Sequence, residues 1–431
     1  MALSVVILAA GQGTRMRSTL PKVLHPLSGK PMLFHAIDAA RELSDDITVV
    51  LYHQADRIRD AIEKSYTGIA FHQQDAKRYP GTGGALRDLT VQHDRILVLN
   101  GDMPLVTPDA LRRLDAGDAE INMSVLQLDP PPAYGRVVIE NGRVQRIVEE
   151  KDCTPQERAI TTLNAGVYRL TRYALERYIP RLNNDNAQAE YYLTDIVEMA
   201  IREGKSVHPV FVSEAAFFGV NSKSDLAHAE TLMQQRIRQQ WMLQGVTMHL
   251  PETIYIDSRA TFEGECEIEN GVRIEGACRI QRSRIRAHTV IEESTLIDST
   301  VGPLAHLRPG STLRDSKVGN FVETKNATLT GVKAGHLSYL GDATIDEGTN
   351  IGAGTITCNY DGKAKHRTVI GKNVFVGSDS QLVAPVTLAD NTIIAAGSTV
   401  TKDVPEGALA ISRTPMKLVA GFFHKFFGKE S

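Results

Sequence analysis

The sequence predicts an α/β layer on a largely parallel sheet, then a connecting helix, then a parallel β-helix of triangular section. Three observations carry this. Apolar runs alternate with amphipathic stretches up to about residue 220. Residues 222–245 keep only helical spacing. Beyond about residue 250 the helical signal vanishes and apolar residues recur six apart. The boundaries drawn from these changes are 1–221, 222–245 and 246–431, the last including a C-terminal tail. A chain of 431 residues is also long for one core, which favours two domains.

In the first domain, residues 5–10, 47–51, 96–99 and 123–128 read as strands, and residues 32–43 and 108–114 as helices between them. The apolar start lacks a basic n-region and runs at once into Gly11-Gln12-Gly13. It therefore reads as a buried strand entering a glycine turn, not as a signal peptide. In the connecting stretch, Leu226, Ala229, Met233, Ile237 and Trp241 recur at three- or four-residue spacing. Ser222 or Ser224 would cap its start and Gly245 its end. A spacer packed along one face is expected.

The six-residue period appears at Ile285, Ile291 and Ile297, again at Ile345 and Ile351, and most cleanly at Ile370, Val376, Leu382, Leu388, Ile394 and Val400. Because strand side chains alternate every two residues, a period of six means three short faces per turn with one apolar residue inward on each. Residues 357–366 interrupt the rhythm with a loop rich in Asn, Tyr, Lys and His, the kind of projection that carries function on a solenoid.

A formal charge of −3 argues against wholesale nucleic-acid or membrane binding while leaving room for local basic pockets. No segment approaches the roughly 18 apolar residues of a membrane helix, so no stable insertion is expected and the cytoplasm is the default location. Cys153, Cys266, Cys278 and Cys358 are far apart and read as reduced thiols.

Chemistry begins at the glycine turn. A strand, a turn at Gly11-Gln12-Gly13 and a following helix would bring backbone N–H groups to phosphates. A dinucleotide fingerprint fails because Met16 stands where a third glycine is needed, and a Walker A loop fails for want of Gly-Lys-Ser/Thr. What remains is a glycine turn followed by two cations, Arg15 and Lys22. They suit a triphosphate whose charge is offset while one phosphorus is attacked.

Leu8-Ala9-Ala10-Gly11-Gln12-Gly13-Thr14-Arg15-Met16 followed by Pro21-Lys22 resembles the signature of sugar-1-phosphate nucleotidyltransferases. Taken with the hexapeptide half, the chain from Leu8 to Arg413 resembles the bifunctional bacterial GlmU family. Those enzymes are N-acetylglucosamine-1-phosphate uridylyltransferases and glucosamine-1-phosphate N-acetyltransferases. The resemblance implies a Rossmann-like nucleotidyltransferase domain, a linker helix and a left-handed parallel β-helix of hexapeptide repeats. It implies synthesis of UDP-N-acetylglucosamine from glucosamine 1-phosphate, acetyl-CoA and UTP through N-acetylglucosamine 1-phosphate, as precursor for peptidoglycan and lipopolysaccharide. Asp102, in Asn100-Gly101-Asp102-Met103-Pro104, and Asn221 would hold Mg²⁺, which bridges phosphate oxygens in such transfers. Leu8, Ala9, Ala10, Gly11, Gly13 and Lys22 would line the nucleotide site with Gly81 and Thr82. Gly135, Glu149 and Asn164 match the sugar-binding positions. The family's uracil-reading glutamine falls at Gln73 or Gln74, with Gln73 assigned, and Asn100 stands where Tyr is common.

The second site rests on Lys333-Ala334-Gly335-His336-Leu337-Ser338-Tyr339, which resembles the acetyltransferase motif. An ammonium must lose a proton before attacking a thioester, and His336 is the candidate base. By resemblance Arg308, Lys325, Tyr339 and Asn350 bind the sugar phosphate. Ala353, Asn359, Tyr360, Ser378, Ala396 and Arg413 form the acetyl-CoA groove. Asn359 would stabilise the oxyanion or orient the amine, and Arg413 and Lys365 would meet CoA phosphates. A homotrimer is implied, because the family's grooves lie between neighbouring β-helices. The repeats before Arg308 look about one coil shorter than the family's, and the aromatic stretch 418–427 reads as a helix capping the solenoid's open end in preference to the alternative, contact with a membrane surface. An inert hexapeptide domain, as in ADP-glucose pyrophosphorylase-like proteins, would not need His336 with Arg308 and Lys325. A pure scaffold would not need Arg15, Lys22 and Asp102. A metal-dependent hydratase would need more histidine ligands than His306 and His336.

Overall fold

The computed structural model describes residues 2–428, which form two compact units divided between Gln234 and Gln235. In the first unit the main strands are β1 (Leu3–Leu8), β2 (Asp46–Leu51), β3 (Ile69–Gln73), β4 (Arg95–Asn100), β5 (Ile121–Gln127), β6 (Arg136–Glu140), β7 (Arg143–Val148), β8 (Thr162–Thr171) and β9 (Val207–Phe211). They build one sheet in the order β9-β5-β8-β4-β1-β2-β3, with the β6–β7 hairpin attached to β8. Pairing is parallel throughout the path except at β8, which runs antiparallel to β4 and β5. Helices cover both faces. Val5 and Ile7 therefore enter one apolar cluster and Val6 the other, so the strand reads as a continuous apolar run rather than an alternation.

The expected helices appear as Met32–Arg41 and Pro108–Asp115. One expectation fails. No α-helix follows the glycine turn; two 3₁₀ turns, Thr14–Met16 and Lys22–Leu24, lie between it and Met32. Polar and proline-bearing residues 17–21 offer no apolar stripe for a longer helix to bury. Any phosphate binding there relies on backbone amides and side chains, without a helix dipole.

The linker helix spans Lys223–Leu243. Ser222, not Ser224, caps it: its Oγ accepts from the Asp225 N–H at 3.1 Å, while the Asp225 carboxylate accepts from the N–H groups of Asn221 and Ser222. The helix stops where Gly245 turns left-handed at φ 97°. Ala229, Met233 and Ile237 are buried along its packed face.

The second unit is a left-handed β-helix whose short strands stack into three parallel sheets of ten, nine and eight strands. Its inward positions explain a correction. Leu296 is fully buried, whereas Ile297 is only half-buried, so the repeat does not step six residues from Ile291. Two corner types account for this. Where a left-handed residue lies two after the inward one, as at Glu293, Asp298, Asp315, Asn326 and Asp342, the next inward residue comes five later. Where it lies three after, as at His288, Gly348, Asn373, Asp379 and Asn391, the step is six. The tighter corner uses one residue fewer. The unbroken six-step run from Ile370 to Val400 is buried as expected. The tail is another correction: the helix Phe422–Phe427 forms, but residues 411–428 are all exposed and it caps nothing.

Candidate active sites

Parallel strands β1, β2 and β4 end at one edge of the first sheet, and their carboxyl ends open into a cleft of about 550 Å³. Leu8, Ala9, Ala10, Gly11, Gly13, Arg15, Lys22, Gly81, Thr82, Asp102 and Asn221 all line it. Two glycines are obligatory. At Gly13 (φ 61°) a Cβ would stand 2.6 Å from the Lys22 Cβ, and at Gly81 (φ 94°) 2.7 Å from the Tyr191 carbonyl oxygen. Gln74 rather than Gln73 faces the cleft: it is buried, and its amide donates to the carbonyls of Tyr79 and Gly81 at 3.0 and 3.1 Å. Gln73, one residue earlier, is exposed, as side chains alternate along a strand.

A second cavity of about 250 Å³ adjoins, lined by Tyr134, Asn164, Gly166 and Phe217 among others, and shares Asn100, Asp102 and Asn221 with the first. Antiparallel β8 brings Asn164 here, where a register shift between Asn164 and Tyr168 interrupts its pairing. Asn100 donates to the Gly166 carbonyl at 3.2 Å. Gly135 lies against Glu149: a Cβ there would be 3.3 Å from the Glu149 Oε2, and the Asn164 N–H donates to the Gly135 carbonyl at 2.8 Å. Burial pushes the Glu149 carboxyl above its ordinary range, partly offset by the Thr194 hydroxyl that donates to its Oε1 at 3.0 Å. Asp195 is pushed up to about 6, first by burial and then by the Glu149 charge.

Where the two cavities meet, the Lys22 ammonium donates to the Asp102 carboxylate and, at 3.2 Å, to the Asn221 Oδ1. Two oxygen donors thus converge on a point already held by a cation. This donor set fits a hard divalent ion that keeps several waters and takes its remaining ligands from phosphates. Tyr52 and Glu190 also line the cleft and were not anticipated. Tyr52 follows β2 directly, so the carboxyl-edge rule alone points to it; Glu190 arrives by a tertiary approach no local pattern signals.

In the second unit the β-helix register stacks the candidates by coil. The Arg308 N–H bonds to the Thr324 carbonyl, which puts Arg308 beside Lys325 on adjacent coils of one sheet, with Glu323 paired to Tyr339 next to them. Arg308 donates to Glu323 at 2.9 Å, which raises the guanidinium pKa further. The Lys325 ammonium is held below its ordinary range by Lys365 and then Arg308. Lys365 therefore joins this cationic cluster, on a folded-back loop in which Tyr360 is bridged to Lys365. His336 is exposed one coil above Asn320. Ala353, Ser378 and Ala396 repeat at one corner, linked by Asp379 N–H to Ala353 O and Gly397 N–H to Ser378 O. Arg413 reaches that column beside Gly397, and Asn350 pairs with Phe375 on the sheet that leads into it.

Asn359 is buried and donates to the Asp342 Oδ2 at 2.5 Å; Asn326 donates to the other oxygen at 2.6 Å. Burial raises the Asp342 pKa, but these bonds and the charges of Lys365 and Lys325 hold it below the carboxylate range. Tyr360 is exposed, its hydroxyl donating to the Gly362 carbonyl. The loop base is pinned by Asp361, which accepts from the amides of Lys363 and Ala364 and pairs with His366.

Comparison with known proteins agrees with both halves. The family profile of the MobA-like NTP transferase domain matches residues 5–127, and that of bacterial transferase hexapeptide (six repeats) matches residues 367–402. The chain is 64% identical over 428 residues to "Bifunctional protein GlmU" of a Sulfurovum species, covering 99% of this chain and 100% of that protein. It is 59% identical to the protein of the same name from a Nitratiruptor species, covering 100% of each. Identity to the Helicobacter pylori protein of that name is 50%, over 99% of this chain and 100% of that one. A nucleotidyltransferase unit joined to a hexapeptide acyltransferase unit, matched end to end at this identity, makes the chain a member of the bifunctional GlmU family.

Proposed function

We propose that the second unit transfers an acetyl group from acetyl-CoA to the amine of glucosamine 1-phosphate, and that the first transfers uridylyl from UTP to the resulting N-acetylglucosamine 1-phosphate. The observation that carries the nucleotidyl half is the Asp102–Asn221 pair at the junction of a larger and a smaller cavity, with a cation between them. A nucleotide in the larger and a sugar phosphate in the smaller would meet there. The sugar phosphate oxygen attacks the α-phosphorus, the bond to the β-phosphate breaks, and pyrophosphate leaves. Arg15 and Lys22 offset charge on the triphosphate; Glu149 and Asn164 orient the sugar; no enzyme nucleophile is needed. Mg²⁺ held by Asp102 and Asn221 would neutralise phosphate charge, and Lys22 is then free to turn to phosphate oxygens.

For the acetyl half, Arg308, Lys325 and Lys365 support a phosphate position. His336 would take the ammonium proton and Asn359 would donate to the oxyanion as the amine attacks the thioester and CoA departs as thiol. Exposed Leu304, Phe321 and Leu337 recur at one corner on successive coils, an apolar ladder that supports assembly into a homotrimer with further copies of the chain.

The test is incubation with glucosamine 1-phosphate, acetyl-CoA, UTP and Mg²⁺ while CoA thiol and pyrophosphate are followed separately. Both appear, and a chelator stops pyrophosphate but not thiol. Pyrophosphate only from pre-acetylated sugar phosphate, with no thiol release, would reduce the β-helix to a scaffold.

A further inference from the structure

After the last β-helix strand, Leu409–Ala410, Ser412 still hydrogen-bonds to Ser398 and Thr399 and Arg413 lies beside Gly397; residues 414–428 then run on exposed. They end in the helix Phe422–Phe427, whose four phenylalanines are 54–68% exposed. The rings pack on one another, with centroids 5.8 Å apart for Phe422–Phe426, 4.8 Å for Phe423–Phe427 and 5.0 Å for Phe426–Phe427, and Phe423 also meets the edge of His424 at 5.7 Å. At about 100° per residue all four fall on one face, and His424 and Lys425 on the other. Met416 and Leu418, upstream, are more than 80% exposed. Charge is one-signed: residues 411–428 contain Arg413, Lys417 and Lys425 and no Asp or Glu.

An aromatic face backed by a basic one, too short to cross a bilayer, is the pattern of a helix lying in the lipid interface, with rings at headgroup depth and lysines against lipid phosphates. No described helix is long and apolar enough to span a membrane. We propose that this C-terminal segment docks the enzyme on an anionic lipid surface, with Phe422, Phe423, Phe426 and Phe427 seated in the interface and Lys417 and Lys425 paired with headgroups.

The purified full-length chain is sedimented with phosphatidylcholine vesicles, with and without an equal share of phosphatidylglycerol. Two lysines at the surface predict binding about thirtyfold tighter to the anionic vesicles, weakening with salt. The variant Phe422→Ser/Phe423→Ser/Phe426→Ser/Phe427→Ser loses vesicle binding, and Lys417→Glu/Lys425→Glu loses the preference for anionic lipid; both keep both activities in solution. Equal binding to the two lipids, or vesicle binding unchanged in the serine variant, overturns the proposal. So does a wild type that ignores vesicles while the serine variant sediments at lower mass, which would seat the helix on a second copy of the chain.

Discussion

Replacing Gly13 by alanine should disable one half-reaction and spare the other. The new Cβ would lie 2.6 Å from the Lys22 Cβ, 0.8 Å short of the 3.4 Å where ordinary contact begins (3.4 − 2.6). The clashing atom is the root of the Lys22 side chain, so no rotamer change relieves it; one backbone segment must move by nearly 1 Å. Gly13 also sits at φ 61°, where a residue with Cβ costs about 1–2 kcal/mol. Lys22 holds the junction of Asp102 and Asn221, and displacement by about 1 Å at a reacting centre costs about a hundredfold in rate. Pyrophosphate release from UTP and N-acetylglucosamine 1-phosphate should fall by about that factor, while CoA thiol release, made in the other unit, stays at the wild-type rate. Uridylyl transfer within threefold or so of wild type would refute the claim that the glycine turn and Lys22 are packed against each other for catalysis.

Other consequences follow from burial and pairing. Leu382→Ala empties a fully buried position of the β-helix and should cost about 2–5 kcal/mol, read by denaturant unfolding of the second unit. Asn359→Ala removes the donor to Asp342 and should abolish most acetyl transfer with uridylyl transfer intact, measured by the two product assays. Asp195, with its pKa pushed up from 3.8 to about 6, binds a proton in the folded state over a range where the unfolded chain has lost it. Its contribution is present below about pH 4 and lost as pH rises through 6, so Asp195→Asn should flatten the fall in melting temperature across that window. Discounted for its partial exposure, the effect is about 1–2 kcal/mol.

Much of the architecture was legible because it is written in period. The alternation of apolar runs and amphipathic stretches gave the sheet, since β1 is buried on both faces, and the run from Ile370 to Val400 keeps its step because the corners at Asn373, Asp379, Asn391 and Gly397 place the left-handed residue three after the inward one. The same reasoning went astray at Ile297, because a corner made by Glu293 saves a residue and no apolar pattern records it. It also supplied a helix after Gly13 that the chain does not build. In the site, motif residues near β1 and β4 are brought together because parallel strands share an edge. Gln74, Glu190, Thr194 and the place of Lys365 depend on chain segments far apart in sequence meeting in space, and single-sequence spacing is blind to that. The Gln73–Gln74 ambiguity needed only the strand's phase, which the apolar pattern of Ile69–Gln73 is too weak to set.

The central claim is that one chain holds two independent sites whose chemistry joins through a diffusible intermediate. Asp102→Ala and His336→Ala proteins, each assayed alone and then mixed, with glucosamine 1-phosphate, acetyl-CoA, UTP and Mg²⁺, test it most directly. The account predicts that Asp102→Ala releases only CoA thiol, that His336→Ala releases pyrophosphate only when given N-acetylglucosamine 1-phosphate, and that the mixture makes UDP-N-acetylglucosamine from the starting substrates. Loss of both activities in either folded variant, or no product from the mixture, would contradict it.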